Sequence, residues 1–298
     1  MAINEEIMTK VLLIGKNGQL AGAIVKNAHA FDLDIFPFDK SELDVTEASQ
    51  VEKKIEEIKP NVVINTSAFH VVPKCEELPF DAMAINFFAV GEIAKICKKY
   101  KIAFITYSTD YVFDGKKGVP YNETDSPHPL QTYGMSKLAG EYACLRSYPE
   151  GSFVIRTCGL YGGKTGSPEK GGNFVLNILK EAQGKDSIEV SSEQIVSPTY
   201  AGDLSKTTLE LLSRKAEPGI YHLANEGSCS WHEFTKEIFR IAGIKTKVIP
   251  VDRGGASGAM MRPKVSALKN VKAKAIGIEL PSWKEGLKSY FEELSKAE

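Results

Sequence analysis

The sequence predicts an α/β protein in which a doubly wound parallel sheet is followed by a smaller, mixed α/β C-terminal lobe. Up to about residue 160, short apolar runs rich in β-branched residues alternate with helical patterns. This alternation is typical of βαβ units whose parallel sheet is covered by helices on both faces. Beyond residue 160 the alternation of strands and helices becomes irregular, with the glycine-rich segment GGKTGSPEKGG (162–172) followed by shorter elements. This change indicates a second lobe of mixed structure.

The N-terminal elements follow one another in strand–helix order. Pro37 cannot donate a hydrogen bond to a neighbouring strand, so the second strand is expected near an edge of the sheet. The predicted strands are KVLLIG (10–15), DIFPFD (34–39), VVIN (62–65), AFITYS (103–108) and FVIRT (153–157). The first predicted helix begins at Gln19, and three more cover 46–59, about 79–99 and about 132–147.

The C-terminal elements are shorter and less regular. We expect helices near 173–183 and 201–213, each followed by an apolar segment, SIEV and GIYHLA respectively. Two Ser-x-x-Glu capping boxes, SWHE (230–233) and SWKE (282–285), begin two later helices. Trp231 and Phe234 lie three residues apart on the first of these helices and are predicted to be core residues.

Composition and charge exclude several classes of protein. Lys plus Arg (37) nearly balance Asp plus Glu (38), which argues against a nucleic-acid partner or an anionic membrane surface. No apolar run approaches the roughly 18 residues of a membrane span, and the polar N-terminus MAINEEIMTK is unlike a secretory signal. The five cysteines are scattered without metal-like spacing. We therefore expect a cytoplasmic protein with reduced thiols and without a metal site.

The first strand leads into a helix through LLIGKNGQLAG, a context in which a glycine pattern indicates dinucleotide binding. Gly15 permits a tight turn out of the strand, and Gly18 leaves room for a pyrophosphate at the positive end of the helix. Asp39, at the end of the second strand, lies near the position from which a carboxylate binds the adenosine ribose. A carboxylate repels the 2′-phosphate of NADP(H), so NAD(H) is slightly favoured, although Lys40 could partly accommodate NADP(H).

These elements divide the chain into two predicted parts. Residues 1–160 form a dinucleotide-binding domain of the Rossmann type, to which later segments near 194–225 are expected to return. Residues 161–298 form mainly a substrate-binding lobe.

The segment QTYGMSKLAGEY (131–142) places Tyr133 and Lys137 four residues apart at the start of a helix. Alone, this pair is typical of an ordinary contact along a helix. In a nicotinamide-binding α/β protein it lies near the carboxyl ends of the strands, where ligands bind. We expect the Lys137 ammonium to lower the pKa of Tyr133 from about 10 and so make the phenol a usable proton donor. Thr109 and Asp110 lie at the same edge, where a hydroxyl can bind a substrate carbonyl.

With these motifs in order, the chain resembles an extended short-chain dehydrogenase/reductase and, within that superfamily, the dTDP-4-dehydrorhamnose reductases. The resemblance extends over almost the whole length. It is carried by GKNGQL, SELDVTE, VVINTSAF, STDYVFDG, YGMSKLAGE, GGNFV, SPTYAGDL, GIYHLANEGSCSWHEF and RPKVSAL.

The resemblance implies that the 4-keto group of a nucleotide-linked 6-deoxyhexose is reduced with NADH or NADPH, giving dTDP-L-rhamnose for surface polysaccharide. It implies Tyr133 as the proton donor, Lys137 as its partner, and Thr109 with Asp110 at the substrate. A homodimer is a form that this family adopts. The cofactor contacts expected from the glycine turn and from the resemblance together are Gly15, Asn17, Gly18, Gln19, Leu20, Asp39, Asp44, Val45, Ser67, Ala68, Phe69, Tyr133 and Lys137.

Two segments depart from the pattern of the family where substrate and nicotinamide should meet. The family usually has Arg-Thr-Ser-Trp after the fifth strand, with the Trp at the substrate, but this chain has RTCG with Gly159 in that place. Where the family has Ala-Tyr-Thr-x-Val-Asp, this chain has AFHVVP with His70 and Pro73. His70 either faces the substrate or is a packed or capping residue. These departures leave the identity of the sugar open. They do not touch the Tyr133 and Lys137 residues, so reductase chemistry is still expected.

Two substrate-binding candidates lie in the C-terminal lobe. Asn173 either contacts the sugar or caps the helix that follows it. Arg262, in MMRPK, either pairs with the diphosphate of a nucleotide, for which a guanidinium has the right geometry, or is an exposed surface residue.

Other functions are compatible with some of these motifs. Sugar-nucleotide 4,6-dehydratases have a Glu after the STD motif, whereas this chain has Tyr111, which argues against dehydration. Epimerases share the Tyr-x-x-x-Lys motif and recycle a bound NAD. A non-catalytic alternative is a regulatory protein like the β subunit of methionine adenosyltransferase, which resembles the same reductases.

Overall fold

The computed structural model describes residues 8–167, 169, 171–252, 256–257 and 260–296. The strands, numbered along the chain, are β1 (Thr9–Ile14), β2 (Leu33–Phe38), β3 (Val62–Asn65), β4 (Ala103–Thr109), β5 (Ser152–Thr157), β6 (Leu160–Tyr161), β7 (Ser187–Ser191), β8 (Ile195–Val196), β9 (Thr199–Tyr200), β10 (Gly219–His222), β11 (Cys229–Ser230), β12 (Lys247–Val251), β13 (Ala256–Ser257) and β14 (Met260–Met261). A six-stranded parallel sheet forms the centre of the structure, in the order β10-β5-β4-β3-β1-β2.

Helices cover both faces of this sheet and build much of the second lobe. They are α1 (Gln19–Asn27), α2 (Ala48–Ile58), α3 (Val72–Glu77), α4 (Pro79–Met83), α5 (Ala89–Tyr100), α6 (Thr132–Ser147), α7 (Phe174–Glu181), α8 (Ala201–Ser213), α9 (Trp231–Ala242), α10 (Val271–Ala275) and α11 (Trp283–Ser295). Within the described part of the chain, no helix has the length and apolar character needed to cross a membrane.

The strand order agrees with the prediction from Pro37, because β2 lies at one edge of the sheet. The predicted bounds of α6 are also correct. The helix predicted at about 79–99 is instead three consecutive pieces, with the π-helical turn Ala84–Phe88 between α4 and α5. Helix α3 was not predicted at all. A prediction based only on a 3.6-residue hydrophobic period does not detect short helices or π-helical turns.

Apolar clusters hold these layers together. One face of the sheet packs against α1 and α8 through residues such as Ile24 and Leu204, and the other packs against α2, α5 and α6 through residues such as Ile55 and Ile93. The C-terminal lobe has its own aromatic core, which includes Phe234. This burial confirms the prediction that Phe234 is a core residue.

The close approach of α6 to the π-helical turn positions the Tyr–Lys segment. A side chain at Gly140 would place its Cβ 2.1 Å from the backbone oxygen of Asn86. The Asn86 amide donates to the Ser136 hydroxyl (3.0 Å) and to the carbonyl of Phe69 (2.9 Å), and its carbonyl oxygen accepts the backbone N–H of Phe69 (2.9 Å). Asn86 therefore ties the loop after β3 to the helix that carries the Tyr–Lys segment.

Candidate active site

A cavity of about 920 Å³ opens at the carboxyl ends of the central strands, between the sheet and the C-terminal lobe. Ligands bind at this edge in doubly wound α/β proteins. The residues of the sequence-based prediction that line it are Gly18, Gln19, Leu20, Ser67, Ala68, Thr109, Asp110, Tyr133, Lys137, Asn173 and Arg262. Its other wall comes from the C-terminal lobe and includes Phe174 and Trp231. The cavity therefore brings together residues that are distant in the sequence.

The start of α1 offers a binding site for a pyrophosphate. Gly15 has φ +94°, and a Cβ there would lie 2.7 Å from the Thr66 hydroxyl oxygen. Gly18 caps α1 without any side-chain hydrogen bond, and the first turn contains no acidic residue. The backbone N–H groups at this helix end are thus open to an anion, in a place where the helix dipole favours negative charge. These features fit the phosphates of a dinucleotide.

Several predicted cofactor residues lie beside this cavity rather than in its lining. Gly15 N–H donates to the carbonyl of Phe38 (2.8 Å), which places Asp39 next to the glycine turn. Asp44 accepts hydrogen bonds from the backbone N–H and the hydroxyl of Thr46, at 2.9 and 2.7 Å. The predicted residues outside the lining are Gly15, Asn17, Asp39, Asp44, Val45 and Phe69.

Tyr133, Lys137 and Thr109 all line the cavity. Thr109 and Lys137 are almost completely buried. The Thr109 hydroxyl donates to Asp110 Oδ1 (3.1 Å) and accepts the backbone N–H of Tyr111 (3.1 Å). Asp110 accepts a second hydrogen bond from the Ser266 hydroxyl (2.6 Å). The STD segment is therefore held by the last part of the chain as well as by β4.

The electrostatics of the pair differ from the sequence-based expectation. Burial raises the pKa of Tyr133 above its usual value of 10.0, and the nearby Asp110 charge raises it further, while a hydrogen bond with Thr109 opposes both effects. Burial also lowers the pKa of Lys137 from 10.5 to about 8, against the attraction of Glu141. The pKa of Tyr133 is thus raised, opposite in direction to the prediction from the sequence, and Lys137 is not among the main groups that shift it. Loss of hydration sets the direction.

A buried ion pair behind the cavity was not predicted. Glu141, one turn after Lys137, accepts hydrogen bonds from Arg156 Nε (2.9 Å) and Nη2 (2.6 Å) and also from the Ser108 hydroxyl. Arg156 also faces His222, whose pKa burial lowers to about 3. An arginine in the otherwise apolar run FVIRT was the signal that could have revealed this pair.

His70 contacts the glycine-rich segment that borders the cavity. Its Nε2 lies 2.9 Å from the Ser167 hydroxyl, and its Nδ1 lies 3.2 Å from the carbonyl of Ala68 and 3.1 Å from Glu169 Oε2. The ring therefore forms part of the cavity wall and bridges the loop after β3 to the C-terminal lobe.

Gly159 has no side chain, and the ring of Trp231 lies next to it. It has φ +56°, and a Cβ there would lie 3.3 Å from the Trp231 ring. Trp231 packs against Phe174 with ring centroids 4.3 Å apart, and both line the cavity. Trp231 is half-buried, so the prediction that it is a core residue is incomplete. It is also part of the cavity wall.

The two C-terminal candidates differ in how the structure holds them. Asn173 is buried, and its side-chain oxygen accepts the backbone N–H of Leu176 (3.0 Å) at the start of α7. Its amide donates to the carbonyl of Gly162 and to the Tyr290 hydroxyl. These contacts agree with the capping role. Arg262 is exposed and lines the cavity beside Pro263.

The sheet topology and the Tyr–Lys pair at its carboxyl edge define the class of short-chain dehydrogenases/reductases. Comparison with known proteins narrows this class. Residues 8–296 match the family model described as RmlD substrate binding domain. The chain therefore belongs to the RmlD family, to which the dTDP-4-dehydrorhamnose reductases belong.

Individual relatives cover nearly the whole chain. The spore coat polysaccharide biosynthesis protein SpsK of Bacillus subtilis (strain 168) is 34% identical over 290 residues, or 97% of this chain and 99% of that protein. The crystal structure of a dTDP-4-dehydrorhamnose reductase from Clostridium acetobutylicum has a TM-score of 0.90 at 35% identity, covering 96% of this chain and 100% of that one. A dTDP-4-dehydrorhamnose reductase from Bacillus anthracis in complex with NADP has a TM-score of 0.89, with the same identity and coverage.

Proposed function

We propose that this protein is a cytoplasmic NAD(P)H-dependent reductase that acts on the 4-keto group of a dTDP-4-keto-6-deoxyhexose. The specific reaction is the conversion of dTDP-4-dehydro-L-rhamnose to dTDP-L-rhamnose for a surface polysaccharide. The observation that carries this proposal is the group of buried Thr109, half-buried Tyr133 and buried Lys137, in one cavity with the open N-terminus of α1. The names of the relatives agree with it. A homodimer remains an expectation from the sequence.

The residues at the start of α1 would hold the nicotinamide cofactor. Gly18, Gln19 and Leu20 supply the open helix end for its phosphates, and Asp39 lies beside the glycine turn for its adenosine ribose. When bound, the cofactor supplies the hydride for the keto carbon. Lys137, which lines the same cavity, would bind the nicotinamide ribose and carry a positive charge near Tyr133.

Tyr133 is proposed to protonate the oxygen that becomes negative as the keto group is reduced. Its raised pKa keeps the phenol protonated at neutral pH. An alkoxide is more basic than a phenolate, so the proton moves downhill once the charge has developed. The Thr109 hydroxyl donates its one proton to Asp110 Oδ1 in this structure, and it would turn that proton to the same oxygen to give a second hydrogen bond there.

The turnover assay tests this function directly. Wild-type protein with dTDP-4-dehydro-L-rhamnose should consume NADH or NADPH, measured as the loss of absorbance of the reduced nicotinamide. dTDP-glucose, which has no keto group, should give no consumption and serves as the control. Folded protein that binds NADH but oxidises neither cofactor with the keto-sugar would refute the reductase assignment and favour another keto-sugar or a regulatory role.

The activity should depend on the protonation of Lys137. Because burial lowers the pKa of Lys137 to about 8, the ammonium is present below that pH and is lost above it. We expect kcat to fall about tenfold per pH unit above this value, since one proton is lost. A pH–rate profile at saturating substrate measures the fall.

Arginine at position 137 provides the control for this profile. A guanidinium stays charged throughout this range, so Lys137→Arg should lose rate overall but should not show the alkaline fall. An unchanged alkaline limb in this variant would assign the titration to another group.

A further inference from the structure

Three charged side chains meet where the glycine turn adjoins the end of β2. The backbone N–H groups of Gly15 and Lys16 both donate to the carbonyl of Phe38, at 2.8 and 3.0 Å. The Lys16 ammonium lies 3.2 Å from Asp39 Oδ2 and 2.6 Å from Glu42 Oε2. A single lysine is therefore shared by two carboxylates beside the proposed site of the adenosine ribose.

The turn after β2 holds both carboxylates in place. Asp39 Oδ1 accepts hydrogen bonds from the backbone N–H (2.9 Å) and the hydroxyl (2.6 Å) of Ser41. Glu42 Oε2 accepts the backbone N–H of Asp39 (3.0 Å). The pKa of Asp39 falls from 3.8 to about 2, chiefly because of the Ser41 hydroxyl. The hydrogen bond from Lys16 also lowers the pKa of Glu42, so both carboxylates are charged at neutral pH.

The net charge of this group is negative. One ammonium against two carboxylates leaves one net negative charge. The adjacent Lys40 does not change this balance, because it points to Asp44 at 3.9 Å and its side chain is 79% exposed. Glu42 is the carboxylate closer to Lys16, and it holds the only ammonium that the described residues place against Asp39.

We propose that Glu42 determines the cofactor preference of this protein by holding Lys16 away from a 2′-phosphate, so that NADH is preferred to NADPH. The proposal rests on the proposed function, since it assumes that the adenosine ribose binds beside Asp39. A 2′-phosphate brings about two further negative charges next to Asp39 and needs a free cation to balance them. Lys16 is that cation, and Glu42 competes with the phosphate for it. Glu42 thus acts as a positioning residue.

Glu42→Gln tests this competition. The amide oxygen of glutamine can still accept the Asp39 N–H, so the turn is kept while the negative charge is removed. We expect the ratio of the Kd for NADPH to the Kd for NADH to fall about two- to fivefold, the size of a partly screened charge interaction. Titration of each cofactor without sugar, followed by protein and nicotinamide fluorescence, measures both constants. In about 1 M salt, where the Debye length is about 3 Å, the change should largely disappear.

Two further variants make the result specific. Glu57→Gln removes the same charge from a glutamate of similar exposure that pairs with Lys54 at 2.8 Å, and it should leave the ratio unchanged. Adding Lys16→Met to Glu42→Gln should abolish the gain in NADPH binding.

The possible outcomes separate the two proposals. An unchanged ratio in Glu42→Gln, or an equal weakening of both cofactors, would overturn the role of Glu42. Failure of the wild-type protein to bind either cofactor would instead overturn the proposed function. Persistence of the gain without Lys16 would assign the phosphate to a different cation and also overturn the proposal.

Discussion

Replacement of Tyr133 by phenylalanine is expected to lower kcat for the keto-sugar by about 10²–10⁴-fold, the range for loss of a positioned general acid. The ring is retained and only the hydroxyl is removed. The substrate oxygen then develops its charge without the proton donor that the cavity holds beside Thr109. Single-turnover oxidation of NADH, started with excess enzyme, measures the chemical step separately from product release.

Tyr111→Phe is the matched control for this experiment. Tyr111 also lines the cavity, and its ring packs edge-on against Tyr133 with centroids 6.2 Å apart. Loss of its hydroxyl should change the rate less than about tenfold, because no proton transfer is assigned to it. NADH binding should be retained in both variants. An equal loss of kcat in the two variants would contradict the role of the Tyr133 hydroxyl as proton donor, because it would indicate a general disturbance of the cavity.

Glu141→Gln is expected to lower the free energy of unfolding by about 3–5 kcal/mol, the usual cost of leaving one partner of a buried ion pair uncompensated. Arg156 and Glu141 have relative exposures of only 2% and 3%. The glutamine would keep the size of the side chain but would remove the charge and turn amide hydrogens towards the guanidinium or Ser108. Urea denaturation of the wild-type and variant proteins measures the difference.

An exposed pair of the same type provides the comparison. On α8, Arg214 donates to Glu210 Oε1 from Nε (2.9 Å) and Nη2 (2.6 Å), but the Arg214 side chain is 46% exposed. Glu210→Gln should therefore cost less than about 1 kcal/mol. A double replacement, Glu141→Leu with Arg156→Met, should recover most of the stability lost by Glu141→Gln. Similar losses for Glu141→Gln and Glu210→Gln would contradict a special cost of burial.

The candidate site was largely predictable because its parts are short segments with their own signals. The glycine turn, the STD segment and the Tyr–Lys helix each follow a recognisable strand. Parallel strands bring their carboxyl ends to one edge, so the order of motifs was enough to place Gly18, Thr109 and Tyr133 together. The contributions of Asn86 and Trp231 had no comparable signal, because each depends on contact with an element far away in the chain.

The sequence by itself determined the fold class, the edge position of β2, the bounds of α6 and the placement of Tyr133 and Lys137 on one helix. These follow from local periodicity, proline geometry and spacing along one helix. Only the tertiary structure decided that Glu141 and Arg156 form a buried pair, that Glu42 shares Lys16 with Asp39, and that the pKa of Tyr133 rises. The physical reason is that burial and charge at a site depend on every segment that packs there. The spacing of residues within one segment carries no information about the other segments.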